Sequence, residues 1–139
     1  MSRTLKEDLI RDEGIQLKPY RDSVGKLTIG VGRNLDDVGI TYPEAMMMLD
    51  RDVAVAECDL IRACPSLMHS DALSHERKDV LINMAFNMGV PRLLLFHNMW
   101  DALEAHDYEK AAAEMLDSTW ATQVGPRAVR LAKVMKDGR

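Results

Sequence analysis

Residues 12–33 read DEGIQLKPYRDSVGKLTIGVGR, and this stretch decides how the rest of the chain is interpreted. An apolar face at helical spacing precedes it, and Gly14 predicts the end of that first helix, with Glu13 as its last residue. Strand-forming residues then surround the turn segment 23–26, which predicts a small antiparallel sheet with Asp22 beside its first turn. The stretch therefore predicts two acidic residues, one held by a helix end and one by a turn.

Two further local signals frame the predicted sheet. Thr4 and Glu7 have the spacing of a capping box, so they predict the start of the first helix. Gly30 and Gly32 lie at the end of the second predicted strand, where glycine permits a close backbone approach or a dihedral angle that other residues avoid. We therefore expect that another group packs closely against the backbone at these glycines, or that their dihedral angles are unusual.

The pattern is helical from residue 41 onward. Thr41 and Glu44 predict a second capping box, and apolar residues at steps of three or four predict the longest helix, which ends before Pro65. One helix, a small sheet and then helices alone predict a mostly helical α+β fold. The further helices are predicted from Ser74 to Gly89, from Pro91 through Leu103, from Asp107 through Met115 and from Pro126 to Gly138, with Trp120 in a brief turn.

The composition is that of an ordinary globular domain. The 139 residues are 47% hydrophobic and 29% charged, which excludes a disordered chain, and only 5% are aromatic, so we expect a core of aliphatic side chains and methionine. No apolar run approaches the roughly 20 residues of a membrane span, and the charged N-terminus lacks the apolar segment of a signal peptide. We therefore expect cytoplasmic synthesis and no stable membrane insertion.

The charge is unevenly distributed along the chain. The net charge is −4 overall, −8 in residues 41–118 and +4 in residues 119–139. The acidic middle argues against a nucleic-acid partner. The basic C-terminal helix either meets an anionic polymer or is a solvated helix end whose cations suit the helix dipole.

The sequence predicts no metal and no cofactor. Cys58 and Cys64 lack partner ligands at metal-binding spacing and are interpreted as reduced small residues. The four histidines show no H-E-x-x-H spacing, and the sequence contains no phosphate-binding G-x-x-x-x-G-K-[ST] segment. We therefore expect any activity to rely on side chains alone.

The two acids of the opening stretch suit glycoside hydrolysis. At a helix C-terminus the dipole disfavours the anion of Glu13, which favours a protonated general acid. Asp22 in a polar turn is expected to stay ionised, and Thr28 on the facing strand can share a bound water with it. One protonated and one ionised carboxyl group form the catalytic pair of glycosidases. By themselves, two acids near a hairpin are more often solvated surface groups.

Four segments together resemble the phage-type lysozymes, the endolysin muramidase family. The first is the spacing of Glu13, Asp22 and Thr28, with Thr28 opening the segment TIGVG. The resemblance covers nearly the whole chain and implies a lysozyme-like fold. The other segments are LINMAFNMG at residues 81–89, FHNM at residues 96–99, and Trp120 followed by PRAVR at residues 126–130.

The resemblance implies a role for each of these residues. Glu13 would protonate the leaving oxygen of the β-1,4 bond between N-acetylmuramic acid and N-acetylglucosamine. Asp22 and Thr28 would hold and activate the attacking water, or Asp22 would stabilise the oxocarbenium-like state. About 6.5–9.5 Å between the carboxyl groups predicts inversion and about 5–5.5 Å predicts retention; the resemblance favours inversion. Positions that match the family's sugar contacts are Asn34, Phe86, Met99 and Glu114.

The resemblance also implies an organisation and a partner. We expect a single domain over residues 1–139, with a β lobe at about 14–40 joined by the long helix to a helical lobe. That lobe would comprise about 64–139 and the N-terminal helix 3–13. The expected partner is bacterial peptidoglycan, reached by a monomer through a holin-type pore. The alternative is a non-catalytic cell-wall-binding or phage-particle module, against which the complete catalytic set argues.

Three features depart from the family pattern. Arg33 stands where the family often has histidine, and we predict that it pairs with Asp52. Only residues 34–40 separate Arg33 from the cap at Thr41, so we expect a reduced β lobe. The pI of about 5.5 is low, because well-known members of the family are strongly basic, so we expect weaker capture of the anionic cell wall. A local attractive patch is expected on the C-terminal helix, from Arg127, Arg130, Lys133 and Lys136.

Overall fold

The structure, a computed structural model, describes residues 3–139. The chain divides into two compact units, the first ending at Met48 and the second running from Leu49 to Arg139. The predicted α+β class is confirmed, because a small three-stranded antiparallel sheet accompanies a set of helices. The elements that begin in the first unit are α1 (Leu5–Glu13), β1 (Gln16–Arg21), β2 (Leu27–Gly30), β3 (Arg33–Asn34) and α2 (Tyr42–Ala63).

Helix α1 begins and ends where the sequence predicts. The Thr4 hydroxyl accepts a hydrogen bond from the Glu7 backbone N–H, and the Glu7 carboxylate accepts one from the Thr4 N–H, both at 3.2 Å. At the other end, Gly14 has φ 77°, and its N–H donates to the Ile10 carbonyl at 2.7 Å. The capping box and the glycine stop together leave Glu13 as the last helical residue.

The sheet has the strand order β1-β2-β3, so β2 is central. Tyr20 lies opposite Thr28, and the β1–β2 register is irregular between Gln16 and Tyr20. Pro19 lies in this irregular part, where its missing N–H removes one donor from the ladder. The sequence does not predict β3, a two-residue strand that pairs Asn34 with Thr28. Thr28 is thereby flanked on both sides and is only 3% exposed.

The second unit consists of helices. It contains the rest of α2, followed by seven helices, and within residues 3–139 no helix is both long and apolar enough to cross a membrane. Four of the eight largest fully buried side chains are methionines, which confirms the expected use of methionine in the core. The seven helices are α3 (Pro65–Met68), α4 (His75–Met88), α5 (Val90–Leu93), α6 (His97–Glu104), α7 (Tyr108–Leu116), α8 (Thr119–Val124) and α9 (Pro126–Asp137).

Most predicted helix boundaries in this unit are confirmed. Ser74 caps α4 by accepting from the Arg77 N–H at 3.2 Å, and Gly89 ends that helix with φ 84°. Asp107 caps α7 in the same way, by accepting from the Lys110 N–H at 3.0 Å. Each of these boundaries depends on residues close in sequence, which is why the pattern predicts them.

Two helix predictions are wrong. The helix expected from Pro91 through Leu103 is divided into α5 and α6, because the chain turns more tightly between them: the Leu95 N–H donates to the Arg92 carbonyl and the Phe96 N–H to the Leu93 carbonyl, both at 3.1 Å. The Trp100 indole N–H also donates to the Leu93 carbonyl, at 2.9 Å. Trp120 lies in the short helix α8 rather than in a turn, since the Ser118 hydroxyl caps it. Helix α3 was not predicted.

Candidate active site

The Glu13 side chain lies against the backbone of Gly32. A Cβ atom placed on Gly32 would come within 2.8 Å of Oε2 of Glu13 and 3.1 Å of its Cδ, and Gly32 has φ 66°. The predicted close approach is therefore confirmed at this glycine. Gly30 has a similar φ of 69°, but the same atom placed there meets no described atom within 4 Å. Position 30 thus requires only the dihedral angle, whereas a side chain at position 32 would also displace the Glu13 carboxyl group.

The Asp22 carboxylate is fixed by the turn that it forms. Its Oδ1 accepts from the backbone N–H groups of Val24 at 3.0 Å and Lys26 at 2.8 Å. Its own backbone continues the strand ladder, because the Asp22 N–H donates to the Lys26 carbonyl at 2.9 Å. Oδ2 accepts no hydrogen bond from residues 3–139. One oxygen thus orients the group, and the other remains available to a ligand or a water.

The Thr28 hydroxyl is oriented by the same turn. Its Oγ1 donates to the Lys26 carbonyl at 2.9 Å, which uses the only proton that the hydroxyl has. Thr28 lies opposite Tyr20 in the sheet, and Asp22 follows Tyr20 by two positions, so Asp22 and Thr28 lie on one face. Toward that face the hydroxyl can therefore act only as a hydrogen-bond acceptor.

All three residues of the predicted catalytic set belong to the first unit. Asp22 and Thr28 share the hairpin of β1 and β2, and Glu13 lies against the two-residue turn between β2 and β3. A helix end and two adjacent turns, each with its own local hydrogen bonds, thus determine where the three side chains lie.

Arg33 pairs with Glu44, so the predicted pairing with Asp52 is wrong. The Arg33 Nη1 group donates to Oε1 of Glu44 at 3.0 Å and to the Gly39 carbonyl at 3.1 Å. The short connection over residues 34–40 explains why Arg33 pairs with Glu44 instead of Asp52. It brings Arg33 to the first turn of α2, where the capping box with Thr41 already holds Glu44.

This ion pair changes the protonation chemistry of both groups. The hydrogen bond from Arg33, followed by the bonds from Thr41, lowers the pKa of Glu44 to about 2. The hydrogen bond to Glu44 in turn raises the pKa of the Arg33 guanidinium. The pair is therefore charged throughout the range in which proteins normally work. The sequence did not predict a role for Glu44 beyond the helix cap.

Asn34, the first predicted sugar contact, has its side chain engaged within the first unit. Its Nδ2 donates to Oδ2 of Asp37 at 3.1 Å, and its Oδ1 accepts from the Asp37 N–H at 2.9 Å. Its amide therefore shapes the loop before α2, and a role in sugar binding stays a prediction.

Met99 and Glu114, two further predicted sugar contacts, line one cavity of about 550 Å³ in the second unit. Met99 is fully buried there. Asn87 and Trp120 line the same cavity, and the Trp120 indole N–H donates to Oδ1 of Asn87 at 2.7 Å. This hydrogen bond orients the amide of Asn87, a residue to which the sequence analysis assigns no role.

Phe86, the last of the four predicted contacts, lines a different cavity of about 580 Å³. Its side chain is 44% exposed, so a large part of the ring is available to a ligand. In the same cavity, Arg127 donates through Nε and Nη2 to Oδ1 of Asn83, at 3.1 and 2.7 Å. The structure therefore brings Met99 and Glu114 together and separates Phe86 from them.

A family model described as phage lysozyme matches residues 11–134. This chain belongs to the phage lysozyme family. The match includes Glu13, Asp22 and Thr28, and it covers both units from α1 to α9. The mostly helical architecture with a small antiparallel sheet is accordingly the lysozyme-like fold that the sequence predicted.

Three relatives illustrate the range of the family. Probable T4-type lysozymes 1 and 2 of Dictyostelium discoideum are 31% and 28% identical to this chain, and each alignment covers 99% of the chain and 96% of the relative. The pre-baseplate central spike protein Gp5 of Enterobacteria phage T4 is 31% identical over 97% of the chain, which spans only 28% of that protein. The alignments run over 160 to 165 positions, so these relatives contain residues that the 139-residue chain lacks.

Proposed function

We propose that this chain is a muramidase that hydrolyses the β-1,4 bond between N-acetylmuramic acid and N-acetylglucosamine in bacterial peptidoglycan. Membership of the phage lysozyme family supports a glycosidase of this kind. The observation that carries the residue assignment is the hairpin turn, which orients two acceptors, Oδ2 of Asp22 and Oγ1 of Thr28, toward one face of the sheet.

In the proposed reaction, a water donates one hydrogen bond to Asp22 and one to Thr28. A lone pair of the water oxygen is then directed at the anomeric carbon. As the new carbon–oxygen bond forms, Asp22 takes up the proton of the water, and the bond to the glycosidic oxygen breaks. Glu13 gives its proton to that oxygen, which leaves as the hydroxyl of N-acetylglucosamine. The other product is N-acetylmuramic acid with a free reducing end and inverted configuration.

The test is mass analysis of purified peptidoglycan after digestion by the native protein and by Glu13→Gln. We expect muropeptides that end in reducing N-acetylmuramic acid from the native protein alone. Binding of Glu13→Gln to insoluble peptidoglycan controls for folding and should be retained. Anhydro-muramic ends would instead show a lytic transglycosylase on the same scaffold. Equal cleavage by the variant would remove Glu13 from the proposed chemistry.

A second candidate function is a non-catalytic module that binds cell wall or belongs to a phage particle. The similarity to the central spike protein Gp5 favours it, because there the matching region is a minor part of a larger protein. Under this alternative, neither the native protein nor Glu13→Gln cleaves peptidoglycan, and both bind it equally.

The proposed muramidase, by contrast, would act as a monomeric endolysin that is made in the host cytoplasm and reaches the wall through a holin-type pore.

A further inference from the structure

The position of the Glu13 carboxyl group depends on the turn between β2 and β3. Along that side chain, Cγ, Cδ and Oε2 would lie 3.4, 3.1 and 2.8 Å from a Cβ atom on Gly32. The carboxyl end therefore rests on the backbone of this glycine. Any displacement of the turn would displace the surface that supports Glu13.

The strand that follows this turn is too short to fix it by pairing alone. β3 consists of Arg33 and Asn34, which lie opposite Ile29 and Thr28. The chain after β3 makes two further hydrogen bonds with β2, from the Leu35 N–H to the Leu27 carbonyl at 2.7 Å and from the Leu27 N–H to Oδ2 of Asp36 at 2.8 Å, but neither of them reaches α2. Among the described hydrogen bonds, the Asn34 side chain reaches only as far as Asp37.

Arg33 supplies the longer connection. Its guanidinium joins β3 to the Gly39 carbonyl and to Glu44 in the first turn of α2. Glu44 is itself held by Thr41, whose backbone N–H donates to Oε1 at 2.9 Å and whose hydroxyl accepts from the Glu44 N–H at 3.3 Å. The turn at Gly32 is thus attached to a helix terminus through one charge-assisted hydrogen bond.

We propose that Arg33 and Glu44 are positioning residues for Glu13, because their ion pair holds β3 and thereby the Gly32 backbone on which the Glu13 carboxyl group rests. The proposal rests on the proposed function in assigning the proton donor to Glu13. A charge-assisted hydrogen bond suits this purpose, since it is stronger than a neutral one and restricts the movement of the turn.

The experiment compares the native protein with Arg33→Met, Arg33→Lys and Glu44→Gln. Arg33→Met keeps much of the side-chain volume and removes every donor. Glu44→Gln removes the charge and keeps an acceptor for the helix cap. Glu109→Gln is the matched control, because Glu109 also lies in the first turn of a helix and contacts a cation, Lys136, at 3.8 Å. Melting temperatures are measured first, and kcat and KM are then measured well below them.

We expect Arg33→Met to lower kcat on the order of 10- to 100-fold, the loss typical of a small misplacement of a catalytic group. KM should change little, Arg33→Lys should recover part of kcat, and Glu109→Gln should match the native protein. The variant with both Arg33→Met and Glu44→Gln should lose no more than Arg33→Met alone, because both changes remove one link. A native kcat in Arg33→Met, with only a lower melting temperature, would overturn the proposal.

A second measurement keeps the proposal separate from the proposed function. The ¹³C resonance of the Glu13 carboxyl carbon is followed across pH, and it is assigned by its absence in Glu13→Gln. Its chemical shift and midpoint should change in Arg33→Met and not in Glu109→Gln. If the native protein cleaves no peptidoglycan, the proposed function fails, and this titration still decides whether the ion pair positions Glu13. An unchanged titration in Arg33→Met would overturn the positioning role.

Discussion

At the scale of single residues, the two glycines of the TIGVG segment differ in what they require. Gly30 and Gly32 have nearly the same positive φ, 69° and 66°, but only Gly32 supports the Glu13 carboxyl group. A non-glycine residue at such a dihedral costs about 1–2 kcal/mol in either case. Substitutions at the two positions therefore distinguish the effect of backbone strain from the effect of displacing the Glu13 carboxyl group.

We predict that Gly32→Ala abolishes peptidoglycan hydrolysis, whereas Gly30→Ala retains it. Both variants should lose similar stability, because both place a Cβ atom at a positive φ. Only the added methyl group at position 32 collides with the Glu13 carboxyl group. Thermal unfolding and turnover are measured together for the two variants. Equal turnover losses would show that strain alone governs this segment.

Thr28 provides a second prediction at this scale. Thr28→Val keeps the shape of the side chain and removes the acceptor, so we expect kcat to fall by about 10²-fold, the lower end of general-base effects. It also removes the hydrogen bond from the hydroxyl to the Lys26 carbonyl. That carbonyl still accepts from the Asp22 N–H, so the loss of stability should be about 0.5–1.5 kcal/mol. Thr28→Ser keeps the hydroxyl and should retain most of kcat. Turnover is compared at a temperature at which all three proteins are folded, and a Thr28→Val enzyme of native kcat would exclude the hydroxyl from water binding.

At the scale of secondary-structure elements, the sequence predicts those helix boundaries that depend on residues close in the chain. Thr4 and Ser74 start α1 and α4 as expected, because a capping side chain acts within three positions. At the break between α5 and α6, the Trp100 indole N–H donates to the Leu93 carbonyl, seven positions earlier in the chain. β3 likewise exists only because it pairs with β2. Contacts of this kind have no signature in the local pattern.

The same distinction applies to the candidate site. Glu13, Asp22 and Thr28 lie within one short stretch, so their spacing is visible in the sequence. The partner of Arg33 is not visible, since Glu44 and Asp52 are both acids within α2 and only the path of the preceding loop selects between them. Sequence spacing identifies such candidates, and the folded loop decides among them.

The capping turn of α2 leads to a prediction about pH. The pKa of Glu44 is lowered to about 2 in the folded protein, from an ordinary value of 4.5. Between these values the unfolded chain binds the proton and the folded protein does not, so stability falls as pH decreases from about 4.5 to 2. Above about 4.5 the contribution is complete. The melting temperature is measured across this range of pH. As the pH is lowered, the melting temperature of Glu44→Gln should fall less steeply than that of the native protein. If the melting temperatures of the two proteins fell in parallel with pH, the contribution assigned to Glu44 would be contradicted.

At the scale of the whole molecule, the charge is distributed unevenly, and this bears on the proposed binding to peptidoglycan. The net charge is −4, yet residues 119–139 carry +4. Arg127 is partly engaged with Asn83, so replacing it would also disturb a structural contact. Arg130 is exposed on α9 and provides a cleaner test of electrostatic attraction.

We predict that Arg130→Glu weakens binding to insoluble peptidoglycan several-fold at low salt and little at high salt, because surface attraction is screened beyond about 10 Å at 0.1 M ionic strength. Arg51→Glu is the matched control. It alters the net charge equally, at an exposed residue of the acidic segment 41–118. Co-sedimentation with peptidoglycan is measured at several salt concentrations for both variants. If the basic helix acts locally, only Arg130→Glu loses the salt-dependent part of binding. Equal losses in the two variants would show that the wall responds to net charge, and that α9 is a solvated helix end.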